Sequence, residues 1–127
     1  MVVAMDEKIL QARTMVIQYA GNVAKKNIND ILNALTEDVQ FKLHNSIDLE
    51  GKSQVRDFYD KSFAEGNYTF NHEFLDEKVV ADLIFINGKQ NKKYTPVGKQ
   101  VEITSYDFFF ILKKEAGELK LWQLRVV

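Results

Sequence analysis

The sequence predicts an α+β domain, with helices packed against one face of a curved antiparallel sheet. Two observations carry this. Apolar residues in the first third recur at helical spacing, whereas most later segments alternate at period two. The element types are also segregated along the chain: helix, helix, strand, helix, then four strands in hairpin succession.

The first helix is "DEKILQARTMVIQYAGNVAKKN". Asp6 is its expected N-cap, and Ile9, Ala12, Val16, Tyr19, Ala20 and Val23 form its apolar face. "NINDILNALTEDV" reads as a short second helix from near Asn29, and "VQFKL" as a strand with Val39, Phe41 and Leu43 on one side. "GKSQVRDFYDKSFAEGN" reads as a third helix, capped by Ser53 and ended by Gly66, with Val55, Phe58, Tyr59 and Phe63 on one face. "YTFNHEF" aligns Tyr68, Phe70, His72 and Phe74. "VVADLIFI" reads as the next strand, apolar on both sides except at Asp82, and "NGKQNKKYTPVGK" as a solvated loop. A long strand begins at Val101. "KKEAGELK" supplies a hairpin turn at Gly117, and "LKLWQLRVV" the last strand.

A length of 127 residues suits one domain spanning 1–127, and 46% hydrophobic with 28% charged residues is the profile of an ordinary globule. A net charge of −1 lacks the basic surplus of a nucleic-acid binder or an electrostatic membrane binder. Without cysteine there is no disulfide, thiol nucleophile or thiolate metal site. His44 and His72 are too far apart in sequence to form a metal signature, so neither metal nor cofactor is expected. No apolar run is long enough for a bilayer, and "MVVAMDEK" lacks a signal-peptide pattern, so a cytoplasmic protein is expected.

The stretch "SYDFFFIL", residues 105–112, sets an aspartate inside an apolar strand. Burying a carboxylate without partners costs several kcal/mol, so Asp107 needs a reason to be there. Period two puts Ile103, Ser105, Asp107, Phe109 and Ile111 on one face and Thr104, Tyr106, Phe108, Phe110 and Leu112 on the other. Both faces are largely apolar. One is expected to meet the helices, and the other, taken as the Tyr106–Leu112 row, to be covered by a second copy in a homodimer.

The element order, with "NINDILNALTEDVQF", "LEGKSQVRDFY" and "GKQVEITSYDFFFILKKEAGELKLWQL", resembles the nuclear transport factor 2-like superfamily, specifically its SnoaL-like polyketide cyclase and ketosteroid isomerase branch. The resemblance runs from about Ala12 to Val126. It implies a cone-shaped α+β barrel, with three N-terminal helices closing one mouth around a mostly apolar cavity. The isomerase site, carried over by position, places its oxyanion-hole tyrosine on Tyr19 and its neutral aspartic acid on Asp107. The base falls on Leu43, which cannot take a proton. His44 follows, but period two turns it to the face of Gln40 and Lys42 unless the strand breaks there. In the cyclases, an acid at the Asp107 position is implicated as general acid or base.

On this resemblance Asp107 faces the cavity, buried and within reach of Tyr19, and these two are the catalytic candidates. Phe41, Leu43, Phe58, His72, Asp82, Phe109 and Trp122 are the candidate ligand-binding residues. The structural alternatives are a hydrogen-bonded core acid at Asp107 and a space-filling tyrosine at Tyr19. Three function classes stay open: a cofactor-independent isomerase, cyclase or dehydratase acting on a small apolar carbonyl compound; a non-catalytic pocket for a small apolar molecule; and a dimeric scaffold for protein contacts.

Overall fold

The computed structural model describes residues 2–127, with side chains from Glu7 onward. Helix α1 spans Val2–Ala24, α2 Ile28–Asn33 and α3 Gly51–Glu65. The strands are β1 Leu35–Leu43, β2 Ile47–Glu50, β3 Gly66–Val80, β4 Leu83–Pro96, β5 Glu102–Glu115 and β6 Glu118–Val126. The Asp6 side chain, expected as a cap, lies outside the described residues, and the helix backbone already begins at Val2. Glu50, not Ser53, occupies the N-cap of α3, without a side-chain capping bond.

All six strands form one sheet in the order β2-β1-β6-β5-β4-β3. The expectation of an antiparallel sheet needs one correction, because β1 and β6 run parallel. The cause is topological. After α3 the chain makes four antiparallel strands, and the last returns alongside β1 in the same direction. The short β2, unanticipated, pairs with β1 and forms one sheet edge.

"VVADLIFI" is not one strand. Val79 and Val80 end β3, Ala81 and Asp82 form a two-residue turn with Ala81 at φ 53°, and β4 starts at Leu83. The polar stretch after it is not a loop either: β4 continues through "NGKQNKKYTP". Its backbone pairs on both sides, with β3 and β5, and these ladders outweigh the weak strand propensity of Asn, Gly and Lys. The turn at Gly117 is as expected, with Ala116 and Gly117 at φ 54° and 80°, as a type I′ hairpin requires.

The anticipated stripe of α1 is the buried one: Ala12, Val16, Tyr19, Ala20 and Val23 are at most 6% exposed. It packs on the inner face of the sheet, where Ile84, Ile86, Phe108, Phe110, Leu112, Leu121, Leu124 and Val126 are buried. Fully burying side chains of this kind contributes about 1.5–3 kcal/mol each, which fixes the face each strand turns inward. Arg13 ties α1 to β3 through Glu77, 2.7 Å from Oε2, and lies over the Phe74 ring.

That packing inverts the expected faces of β5. Phe108 and Leu112 are fully buried and Phe110 nearly so, whereas Ile103 is 75% and Phe109 45% exposed. The Tyr106–Leu112 row therefore faces the helices and cannot be an outer dimer surface. Asp107 is on the other row, half-exposed and ion-paired with Lys89 directly across on β4. The physical reason is desolvation. Turning this row inward would bury Ser105 and Asp107 and leave three aromatic rings in water.

Candidate functional site

Between α1, α3 and the inner sheet face lies a cavity of about 510 Å³. Its wall is mostly apolar and aromatic, including Phe41, Leu43, Phe58, Phe70 and Phe110. Two polar constellations interrupt it.

The first joins the two helices. Tyr19 on α1 and Tyr59 on α3 are both buried, and their hydroxyls hydrogen-bond to each other. Helical spacing puts each hydroxyl on its helix's inner stripe, and packing brings the two stripes together. Tyr59 also stacks on Phe63 and meets Phe41 and Phe58 edge-on, so its ring is held from several sides. Burial raises the pKa of both phenols, and each neighbouring phenol adds to or modulates that effect. Both therefore stay protonated near neutral pH. One of their two protons is used in the mutual hydrogen bond; the other is left to donate.

The second constellation is a row across the sheet. His72 on β3 pairs with Gln90 on β4, and Gln90 with Tyr106 on β5. His72 Nε2 is 2.8 Å from Gln90 Oε1 and donates to it. Its Nδ1 is then a buried lone pair without a partner among the described residues. Burial lowers the pKa of His72, and the bond to Gln90 only partly opposes this, so the ring is neutral at pH 7. Phe108 packs edge-on against the ring at 4.9 Å.

Near the opening, β1 ends at Leu43, so the alternation that would turn His44 away stops there. The chain turns through Asn45 and Ser46, the latter at φ 60°, and the His44 ring stacks on Tyr106 at 4.1 Å. Lys61, Ser62 and Glu65 on α3 and Lys92 on β4 complete this rim. Tyr68 also lines the cavity. Burial, then the stacked Tyr94, push its pKa up to about 12.

Of the residues expected at the site, Tyr19, Phe41, Leu43, Phe58 and His72 are brought together around the cavity. Four are not. Asp107 is on the solvent side of the sheet with Lys89, far from the arrangement that would let it meet Tyr19. Phe109 is beside it on that outer face. Asp82 is exposed in the β3–β4 turn, because the segment taken as one strand is two. Trp122 occupies a bulge between the pairs Ile111–Gln123 and Leu112–Leu121, and its ring lies under the Lys113 ammonium at 4.3 Å. Sequence reasoning missed Tyr59, Gln90, Lys92 and Tyr106 as lining residues. Tyr59 was visible as a hydroxyl in an apolar helical stripe. Gln90 and Lys92 were hidden by reading their strand as a loop.

Neither a protein-family model nor a curated protein matches the sequence. Solved structures do match the fold. A scytalone dehydratase-like protein from Novosphingobium aromaticivorans superposes with a TM-score of 0.91 at 9% identity, covering 99% of this chain and 87% of that one. A ketosteroid isomerase-like protein from Erwinia carotovora atroseptica superposes with a TM-score of 0.78 at 18% identity over 90% of each chain. ActVI-ORFA from Streptomyces coelicolor gives 0.79 at 14% identity, covering 95% and 96%. A further match, from Nostoc punctiforme, is described as having a cystatin-like fold. The chain has the nuclear transport factor 2-like fold. In this chain the sheet is mixed and open, with β2 and β3 as its edges. Among the described residues no helix is long and apolar enough to cross a membrane, and no three or more His, Cys, Asp or Glu side chains are grouped so as to hold a metal ion.

Proposed function

We propose that the protein binds a small, largely apolar molecule through a carbonyl or phenolic oxygen placed at the Tyr19–Tyr59 hydroxyl pair. The observation that carries this reading is the pair itself: two buried phenols meeting in the wall of an apolar cavity, with one proton left to donate. A few placed polar groups in an apolar concavity orient a ligand, and a buried donor favours a ligand that can accept from it. Structural likeness to isomerase-like and dehydratase-like proteins is consistent with this class of ligand. The test is calorimetric titration with 2-naphthol. The native protein should bind it. Tyr19→Phe and Tyr59→Phe should each weaken binding by about tenfold, the usual worth of one buried hydrogen bond. Native affinity retained in both variants would remove the tyrosine pair from the site.

A catalytic reading is favoured by one further observation. His72 is a neutral imidazole in the cavity wall with an unpartnered nitrogen, the state a proton acceptor needs. In that reading the tyrosine pair holds a developing enolate oxygen, and His72 takes and returns a carbon-bound proton once a ligand uncovers Nδ1. This is chemistry of the cofactor-independent isomerase or cyclase type. Asp107 has no part in it.

For association, the outer sheet face remains the proposed homodimer surface, with its residues reassigned. Phe85, Phe109, Ile111 and Val127 surround a shallow outer depression with Gln123 and Arg125 at its side. Phe85, Phe109 and Val127 are 37%, 45% and 51% exposed. A second copy would bury them.

A further inference from the structure

The inner row of β4 reads Ile84, Ile86, Gly88, Gln90 and then Lys92. The pleat that turns the first four toward the helices turns Lys92 the same way, and its side chain lines the cavity rim. Lys92 is half-buried, and among the described residues no carboxylate lies within 4 Å of its ammonium. Its contact is the Tyr106 ring, 5.4 Å from Nζ to the centroid. The same ring carries the stacked His44. Lys61 of α3 enters the rim from the helical side, and the rim's one carboxylate, Glu65, also on α3, lies near Tyr68. The β-side of the opening is therefore cationic and unneutralised, while the depth of the cavity is apolar and ends in hydroxyls.

We infer that the rim at Lys92 and His44 holds the carboxylate of the ligand, so that the molecule bound is an amphiphilic acid: an apolar, ring-sized body with an anionic group at the mouth and an oxygen function at Tyr19–Tyr59. This rests on the binding reading above and narrows its ligand class. Three features support it. An unpaired ammonium on an inward-facing strand position is only partly hydrated, and an anion restores what it lacks. Burial chiefly, then the Lys92 charge, lowers the His44 pKa, so at pH 7 the ring is neutral and can donate one N–H to the anion whose charge Lys92 balances. And Tyr106 gives a flat ring against which both groups are already positioned, so little side-chain ordering remains on binding.

The test uses three fluorescent probes at pH 7 in low salt: 2-naphthol, 6-hydroxy-2-naphthoate and the methyl ester of that acid. The acid and ester have the same ring body and hydroxyl and differ in charge. The acid should bind the native protein about tenfold or more tightly than the ester, the range for a charge-assisted hydrogen bond. Lys92→Gln should cut the acid-to-ester ratio to about threefold or less, and 0.5 M salt should cut it as well. Lys99→Gln, an exposed lysine in the β4–β5 loop, should leave the ratio as in the native protein. Ester and 2-naphthol that bind while the acid gains nothing would overturn the rim assignment and leave the cavity reading standing. A ratio equally lowered by Lys99→Gln would also overturn it, because net charge alone would then account for the preference. Failure of all three probes to bind would overturn both readings.

Discussion

Asp107 and Lys89 stand directly opposite each other on β5 and β4, on the solvent side of the sheet, and form an ion pair there. Both side chains are about half-exposed, so water screens the pair, and such pairs contribute about 0.2–1 kcal/mol. Asp107→Asn should therefore change stability by less than about 1 kcal/mol in urea unfolding and leave 2-naphthol affinity unaltered. A large loss of affinity in a folded Asp107→Asn protein would restore the acid to the site.

Phe108 and Phe109 are neighbours on opposite faces, and they should behave differently. Phe108→Ala removes a fully buried ring and should cost about 3–5 kcal/mol. Phe109→Glu should leave the fold intact and convert the proposed dimer into a monomer by light scattering. A native protein that is monomeric at micromolar concentration would contradict the dimer.

The backbone at Gly88 makes a separate prediction. Strand β3 carries a bulge between Phe74 and Asp76, which brings the Glu73 carbonyl oxygen to 1.8 Å from where a Gly88 Cβ would stand. Gly88→Ala must push two paired strands apart. It should lower the unfolding midpoint more than Gly21→Ala, where nothing lies within 4 Å.

The pH dependence of stability follows from His72. Its folded pKa is lowered by burial below the ordinary value of 6.5. The unfolded chain then binds the proton more readily, and stability rises with pH through this window. The contribution is intact above about pH 6.5 and is lost as pH falls through the folded pKa. Urea midpoints at pH 7.5 and 5 should differ more for the native protein than for His72→Gln. An equal difference would show that His72 is not buried in its neutral form.

Leu43 bears on chemistry. It lines the cavity where the resemblance puts a carboxylate base, and it accepts no proton. General-base catalysis is worth about 100- to 10,000-fold, so if the cavity only binds and His72 does not act as base, the native protein should isomerise a β,γ-unsaturated ketone weakly. Leu43→Asp should gain activity if the tyrosine pair holds the ketone oxygen. Strong native activity, lost in His72→Gln, would instead identify His72 as the base.

The elements were largely legible because their periodicities are clean. The stripe from Ala12 to Val23 and the row from Tyr68 to Phe74 lie where their spacing puts them. Faces were harder. Both rows of β5 are apolar enough to pass for core, and the useful signal was relative: Ser105 and Asp107 make one row the more polar, and that row is outside. The strand carrying Gln90 and Lys92 was hidden because its Asn, Gly and Lys residues match loop composition, and only pairing on both sides makes it a strand. The Tyr19–Tyr59 pair could not be read from either helix alone, since it exists only once α1 and α3 pack around the same space.

The most direct measurement is a crystal structure with 2-naphthol bound. The naphthol ring should lie between Phe41, Phe58 and Phe110, with its oxygen about 2.7 Å from a hydroxyl of the Tyr19–Tyr59 pair. A ligand seated on the outer face beside Phe109, or in the cavity with its oxygen turned away from both tyrosines, would contradict it.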